Sequence, residues 1–279
     1  MIVKRLAAVF ACLTLLCLTA TSAQAAGEES VGVLNTAPRS WLTETPFITQ
    51  CELGCVAADA VRAYTAADIS LVNVGDIRND LNQGVVTQKD IENVFAADRP
   101  LCVATVTPAE LYAILENAVS RVEVDPKSEQ IVSGTETFDG FCQVSGFSFR
   151  YDASAPAGER IMLITLDDGR ELSVDDHETY LTLGAAEFML DGSYGFPPTE
   201  YRSVEGTLST ALTSYVASRS DLPEGETERI YIAGARQNAI VGMFPKGALV
   251  IGVGLLAAFL AFTRLRSRAR EEDPYPEGE

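Results

Sequence analysis

A single histidine, His177, in 279 residues sets the first limit on what this chain can do. Dimetal hydrolase centres take several His, Asp and Asn side chains, and the usual nucleophilic triads need a His as base. One histidine cannot supply a dimetal set, and His177 itself lies in the turn-like run Val174-Asp175-Asp176-His177-Glu178, whose consecutive side chains point in different directions. No phosphate-binding P-loop, dinucleotide Gly-x-Gly-x-x-Gly or Gly-x-Ser-x-Gly elbow is present. Positive charge is scarce as well: 21 Lys and Arg face 39 Asp and Glu, for a formal net charge of −18. Such a surface repels nucleic acid, so DNA and RNA are excluded as partners. No internal repeat is visible.

What is present begins at the two ends. Lys4 and Arg5, the apolar run Leu6 to Ala20 and the small residues closing at Ala25 have the form of a secretory signal peptide over residues 1–25, cut before Ala26. Residues 247–263 (GALVIGVGLLAAFLAFT) are 17 uncharged residues, about 25 Å as a helix, at the short end of what spans a bilayer. Lys246 and Arg264 flank them, and Arg266, Arg268 and Arg270 continue a positive-inside tail over residues 264–279. The expected topology is single-pass type I in the cell membrane. It has an extracytoplasmic ectodomain over residues 26–232 and a stalk over residues 233–246. Leu222-Pro223-Glu224-Gly225-Glu226 lacks the Thr-Gly of a sortase signal and reads as a loop.

Four cysteines, Cys51, Cys55, Cys102 and Cys142, remain after the leader is removed. They allow three pairings, and their spacing contains no two C-x-x-C pairs. Cys102 and Cys142 lie in apolar strand contexts, which favours buried thiols or one disulfide over zinc. No metal and no cofactor is expected.

Along the ectodomain, strands are expected over residues 31–34, 68–73, 101–106, 141–151, 160–166, 179–183 and 229–232. Helices are expected over 51–65, with Leu53, Val56, Ala57, Ala60, Val61 and Tyr64 on the apolar side, and from Thr87 to Phe95. Thr107-Pro108-Ala109-Glu110 is a capping box opening a third helix, and residues 205–218 form a closing fourth. Residues 122–140 are polar and patternless and read as a surface insertion. Helices and strands mixed in this order predict an α+β domain of mixed layers.

Five ordered blocks carry a family resemblance. They are Cys51 to Arg78 (CELGCVAADAVRAYTAADISLVNVGDIR), Thr107 to Ser120, Phe141 to Arg160, Leu166 to Leu183 and Phe188 to Pro197. Over about residues 29–232 the chain resembles the C-terminal, substrate-specificity domain of the 5'-nucleotidase family. In that family a metallophosphatase domain supplies the dimetal chemistry. The resemblance implies a loop NGGGIR that lets backbone approach a nucleotide, with its Asn and Arg on the ligand; here it reads Asn73-Val74-Gly75-Asp76-Ile77-Arg78. Two glycines are replaced, and Asp76 puts a carboxylate beside the implied phosphate position. Arg78 therefore has two uses open to it, ligand binding or pairing with Asp76 or Asp80.

The resemblance also implies two aromatic rings clamping a nucleobase. One falls on Phe196 in Gly192-Ser193-Tyr194-Gly195-Phe196. The other falls on Ala97, with Arg99 at the neighbouring Asn position, so Phe95 or Tyr194 would have to supply the missing ring. The implied ligand-binding residues are Asn73, Arg78, Arg99 and Phe196, with no catalytic and no metal-binding residue. The implied function is a membrane-anchored nucleotide- or nucleoside-binding module without its own metallophosphatase centre, acting either as a receptor or as the specificity half for a separately encoded metallophosphatase. The alternative is a degenerate surface interaction or structural module that binds no nucleotide.

Overall fold

A computed structural model describes residues 29–38, 48–125, 127, 130–131, 139–219 and 228–234. The expected leader at 1–25, the apolar run at 247–263 and the tail at 264–279 lie outside the described residues. Among the described residues no helix is long and apolar enough to cross a membrane.

In chain order the elements are β1 (Ser30–Leu34), α1 (Glu52–Thr65), β2 (Ile69–Asn73), β3 (Gly84–Thr87), α2 (Gln88–Val94), β4 (Pro100–Val106), α3 (Pro108–Val119), β5 (Val124–Asp125), β6 (Gln130–Ile131), β7 (Cys142–Ser145), β8 (Phe147–Asp152), β9 (Ile161–Leu166), β10 (Glu171–Leu172), β11 (Leu181–Ala186), β12 (Tyr201–Thr207), α4 (Leu208–Ala217) and β13 (Ile230–Ala233). A five-stranded mixed sheet runs β12-β4-β11-β2-β7, and a four-stranded sheet runs β10-β9-β8-β13. Two short ribbons, β1-β3 and β5-β6, complete the set. Helices and strands thus form the expected α+β layers.

The helix starts follow their local chemistry. Cys51 caps α1 by accepting from the Gly54 N–H at 3.3 Å, a thiol doing what Ser or Asp more often does. Thr87 and Asp90 form a full capping box at α2, and Thr107 and Glu110 form another at α3 with Pro108 in its first turn. Thr207 caps α4.

The five-stranded sheet is covered on both faces, which is why all five residues of its inner strand β2 are buried. Ile69 and Leu71 of β2, Cys102, Ala104 and Val106 of β4 and Leu183 of β11 face a core shared with α3 and with Phe147, Phe149 and Tyr151 of β8. Val72 and Leu101 face the opposite core, made by α1, α2, α4 and the β1-β3 ribbon. Side chains alternate between the two cores along each strand, as the period of two demands.

Four expectations need correction. Residues 141–151 are two strands, because Gly146 turns the chain at φ +88°, where an added Cβ would stand 2.4 Å from the Asp68 carbonyl. β7 closes the five-stranded sheet and β8 enters the four-stranded one. Residues 205–207 belong to strand β12 and not to the closing helix; β12 is an edge strand, mostly exposed, so it lacks the alternation that would reveal it. Val122, expected in a surface insertion, is buried in the core, and 124–125 pair with 130–131. The last strand runs through Ala233, one residue into the expected stalk.

β13 lies parallel to β8 and is locked by Arg229. Its guanidinium makes two bonds to Asp59 of α1, at 2.9 and 3.0 Å, and donates to the Val144 carbonyl on the outer edge of β7 at 2.8 Å. Ser145 donates to the same carboxylate, and Gln50 accepts the N–H groups of Arg229 and Ile230. One side chain therefore ties a helix, a sheet edge and the final strand together.

Cys51, Cys55, Cys102 and Cys142 are all free thiols, Cys55 half-buried and the others buried. Burial pushes the Cys51 and Cys102 thiols up to about 12 and Cys55 up to about 11, and raises Cys142 as well. Cys102 and Cys142 sit on strands separated by two others, about 14 Å apart at ordinary strand spacing, well beyond disulfide reach.

Candidate functional site

The loop after β2, the loop before β4 and the segment after β11 meet at one end of the five-stranded sheet. Val74–Asp76 form one 3-10 turn, closed by the Ile77 N–H on the Val74 carbonyl. The Val74 N–H donates to Phe141 and the Gly75 N–H to Asp139, so neither is free to cradle a phosphate. Gly75 is needed for packing: a Cβ there would lie 2.6 Å from the Asp139 Cβ and 2.8 Å from its carbonyl oxygen. The loop before β4 is stitched on by Ala96 N–H to the Asp76 carbonyl and Arg78 N–H to the Val94 carbonyl, both at 2.7 Å.

Asp76 is the centre of this junction. It is 2 % exposed, and its carboxylate accepts from Arg99 Nε at 3.2 Å and from Asn73 Nδ2 at 3.4 Å. Burial pushes its pKa up; Arg99, Asn73 and Arg78 oppose that push by favouring the charged form. Asn73 Oδ1 is buried with no hydrogen-bond partner. Arg99, 35 % exposed, also lays its guanidinium 4.6 Å above the Phe188 ring. Phe188 meets Tyr194 edge-on, with ring centres 5.7 Å apart and planes at 73°. Tyr194 is 47 % exposed, holds a left-handed φ of +53°, and accepts on its carbonyl from Asn117 Nδ2.

Three of the four residues implied by the resemblance come together here, in roles of their own. Asn73 and Arg99 both serve Asp76. Arg78 places Nη2 4.0 Å from Asp139 Oδ2, a partner not considered from the sequence, and also acts electrostatically on Asp76. Phe196 is 2 % exposed and packs in the core shared with α3, so its ring presents no open face. Phe95 is buried in the opposite core and cannot supply a second ring. Phe188 escaped the sequence reading, although it stands in the same block as Tyr194 and is, like it, an aromatic in a turn-rich loop. His177 is exposed in a turn whose Asp176 carboxylate accepts the Glu178 and Thr179 N–H groups. Among the described residues no group of three or more His, Cys, Asp or Glu side chains converges as metal ligands would.

The fold is that of the α+β domains found in nucleotidase-type enzymes. A 5'-nucleotidase precursor from Thermus thermophilus superposes with a TM-score of 0.63 at 20% identity, over 80% of this chain and 43% of that one. The NAD nucleotidase of Haemophilus influenzae gives 0.59 at 14% identity, over 79% and 40%, and the sulfate thiohydrolase SoxB of Thermus thermophilus gives 0.54 at 18%, over 74% and 35%. The chain itself belongs to the 5'-nucleotidase, C-terminal domain family, whose model matches residues 30–200. It spans less than half the length of the solved structures it resembles. No curated protein matches it.

Proposed function

We infer that this chain is an extracytoplasmic, membrane-anchored recognition module that binds a nucleotide- or nucleoside-type ligand at the Asn73–Asp76–Arg99–Tyr194 junction and carries no metallophosphatase centre of its own. The observation that carries this reading is the Arg99–Phe188–Tyr194 stack. It brings a planar cation and a half-exposed aromatic ring to the rim where the family's three ligand loops converge. A ring with an open face serves any base, because every base has a π-face. The aromatic surface here comes from Tyr194 backed by Phe188, displaced from the implied positions at Ala97 and Phe196.

A second reading is an interaction or structural module with no nucleotide ligand. It is favoured by the burial of Phe196 and by the use of Arg99 within the chain. SoxB shares the fold and is named for another chemistry, so fold alone does not choose the ligand. Titration calorimetry of the full-length protein with a panel of nucleosides and nucleotides tests the first reading. Binding that is weakened by Tyr194→Ala supports it, and no binding across the panel by folded protein replaces it with the second. Phosphate release assays with and without Mn²⁺, Zn²⁺ or Ca²⁺ should stay at background.

A further inference from the structure

We propose that Asp76 sets the charge of the ligand this site accepts: its carboxylate sits on Arg99 where an anionic group of a ligand would sit, so the site takes uncharged, nucleoside-like molecules and rejects their phosphorylated forms. This rests on the ligand-binding reading above and narrows it to a substrate class.

The two guanidinium groups nearest the junction each already have a carboxylate from within the chain. Arg99 holds Asp76 through Nε and covers Phe188 with its face, and Arg78 stands 4.0 Å from Asp139. A phosphate on the exposed side of Arg99 shares one guanidinium with the Asp76 carboxylate on Nε, and the repulsion acts in a partly buried setting where it is screened little. Backbone donors do not rescue it, because the Val74 and Gly75 N–H groups are bonded to Phe141 and Asp139. The groups left unsatisfied suit an uncharged donor. Asn73 Oδ1 is a buried acceptor without a partner beside Asp76, and the Tyr194 ring offers an apolar face. An amino or hydroxyl group meets such an acceptor; a phosphate dianion does not.

The charges that act on the Asp76 carboxylate are Arg99, from the loop before β4, and Arg78, from its own loop. Asp139, behind Gly75, is engaged with Arg78. A proton on Asp76 would remove the charge that holds Arg99, so the rejection of anions relaxes in acid. Burial, which already favours the protonated form, works in that direction.

The test compares adenosine with adenosine 5'-monophosphate by titration calorimetry on the full-length protein and its Asp76→Asn variant. Wild type should bind adenosine more tightly than the monophosphate. D76N should tighten the monophosphate by about 10- to 100-fold relative to adenosine, closing or reversing the gap between the two. A monophosphate bound by wild type as tightly as adenosine, or a gap that D76N leaves unchanged, overturns the inference.

Sulfate, a dianion at both pH 7.5 and pH 5.0, provides a measurement on wild type that needs no variant to fold. Its affinity should rise in acid, and the rise should shrink in D76N. A pH-independent sulfate affinity overturns the inference. If neither adenosine nor its monophosphate binds while sulfate behaves as stated, the nucleoside reading has failed and the control of anion access by Asp76 stands.

Discussion

The Asp76 carboxylate lies 3.2 Å from Arg99 Nε, joining the turn that ends β2 to the loop that begins β4 by one charge pair whose acid is buried and whose base is one-third exposed. The asymmetry matters. Asp76 bears most of the desolvation, while Arg99 keeps contact with water.

The Asp76–Arg99 pair should therefore show a particular pH signature. A carboxyl whose pKa is higher in the folded than in the unfolded chain binds its proton more tightly when folded. Its contribution to stability is complete below the unfolded value, about 4 for an ordinary Asp, and is lost as pH rises through the raised folded value. Asp76→Asn should cost less than about 1 kcal/mol at pH 7, because the Arg99 left behind remains solvated. Urea unfolding of both proteins from pH 4 to 7 should show the wild type losing ground to D76N as pH rises. A constant difference between the two curves contradicts the raised pKa.

Arg229 should behave in the opposite way. Replacing it with Leu strands a mostly buried Asp59 carboxylate and the Val144 carbonyl and frees β13 from α1. The cost should be about 3–5 kcal/mol in urea unfolding, as expected for a buried pair broken on one side. Arg229→Lys should recover only part of it, since an ammonium cannot make the two parallel bonds to Asp59. A loss under about 1 kcal/mol for the Leu variant would show that β13 is held mainly by its pairing with β8.

The two aromatic residues of one loop, Tyr194 and Phe196, should separate cleanly. Phe196→Ala leaves a cavity in the core beneath the loop and should lower stability by about 3–5 kcal/mol. Tyr194→Ala removes a half-exposed ring, with little effect on unfolding and a loss of nucleoside affinity of about 5- to 150-fold. Denaturation and calorimetry on the same two variants check this; a large stability loss for Tyr194→Ala reverses the assignment.

The expected topology is tested on cells. The mature N-terminus should be Ala26, and protease added to intact cells should remove the ectodomain while sparing the arginine tail. Mature protein recovered in the soluble fraction with its C-terminus intact contradicts the anchor at residues 247–263.

Much of the fold was legible in the chain because its signals are local. Thr87 with Asp90 and Thr107 with Glu110 announce helix starts within four residues, and the apolar side of α1 appears in the spacing of Leu53, Val56, Ala57, Ala60 and Val61. The family resemblance drew attention to three loops, and in the fold these adjoin at one end of the five-stranded sheet. What the chain by itself determined was therefore composition, caps, periodicity and the scarcity of histidine, all of them properties of short windows or of counts.

The tertiary structure decided the rest. Nothing between residues 73 and 99 says that Asp76 will be buried against Arg99, or that Arg78 will meet Asp139. Nothing in Gly192 to Phe196 says which aromatic ring faces the core and which faces water. These are contacts between segments distant in sequence, chosen by packing and by competition among charges for partners, and that competition exists only once the chain has folded.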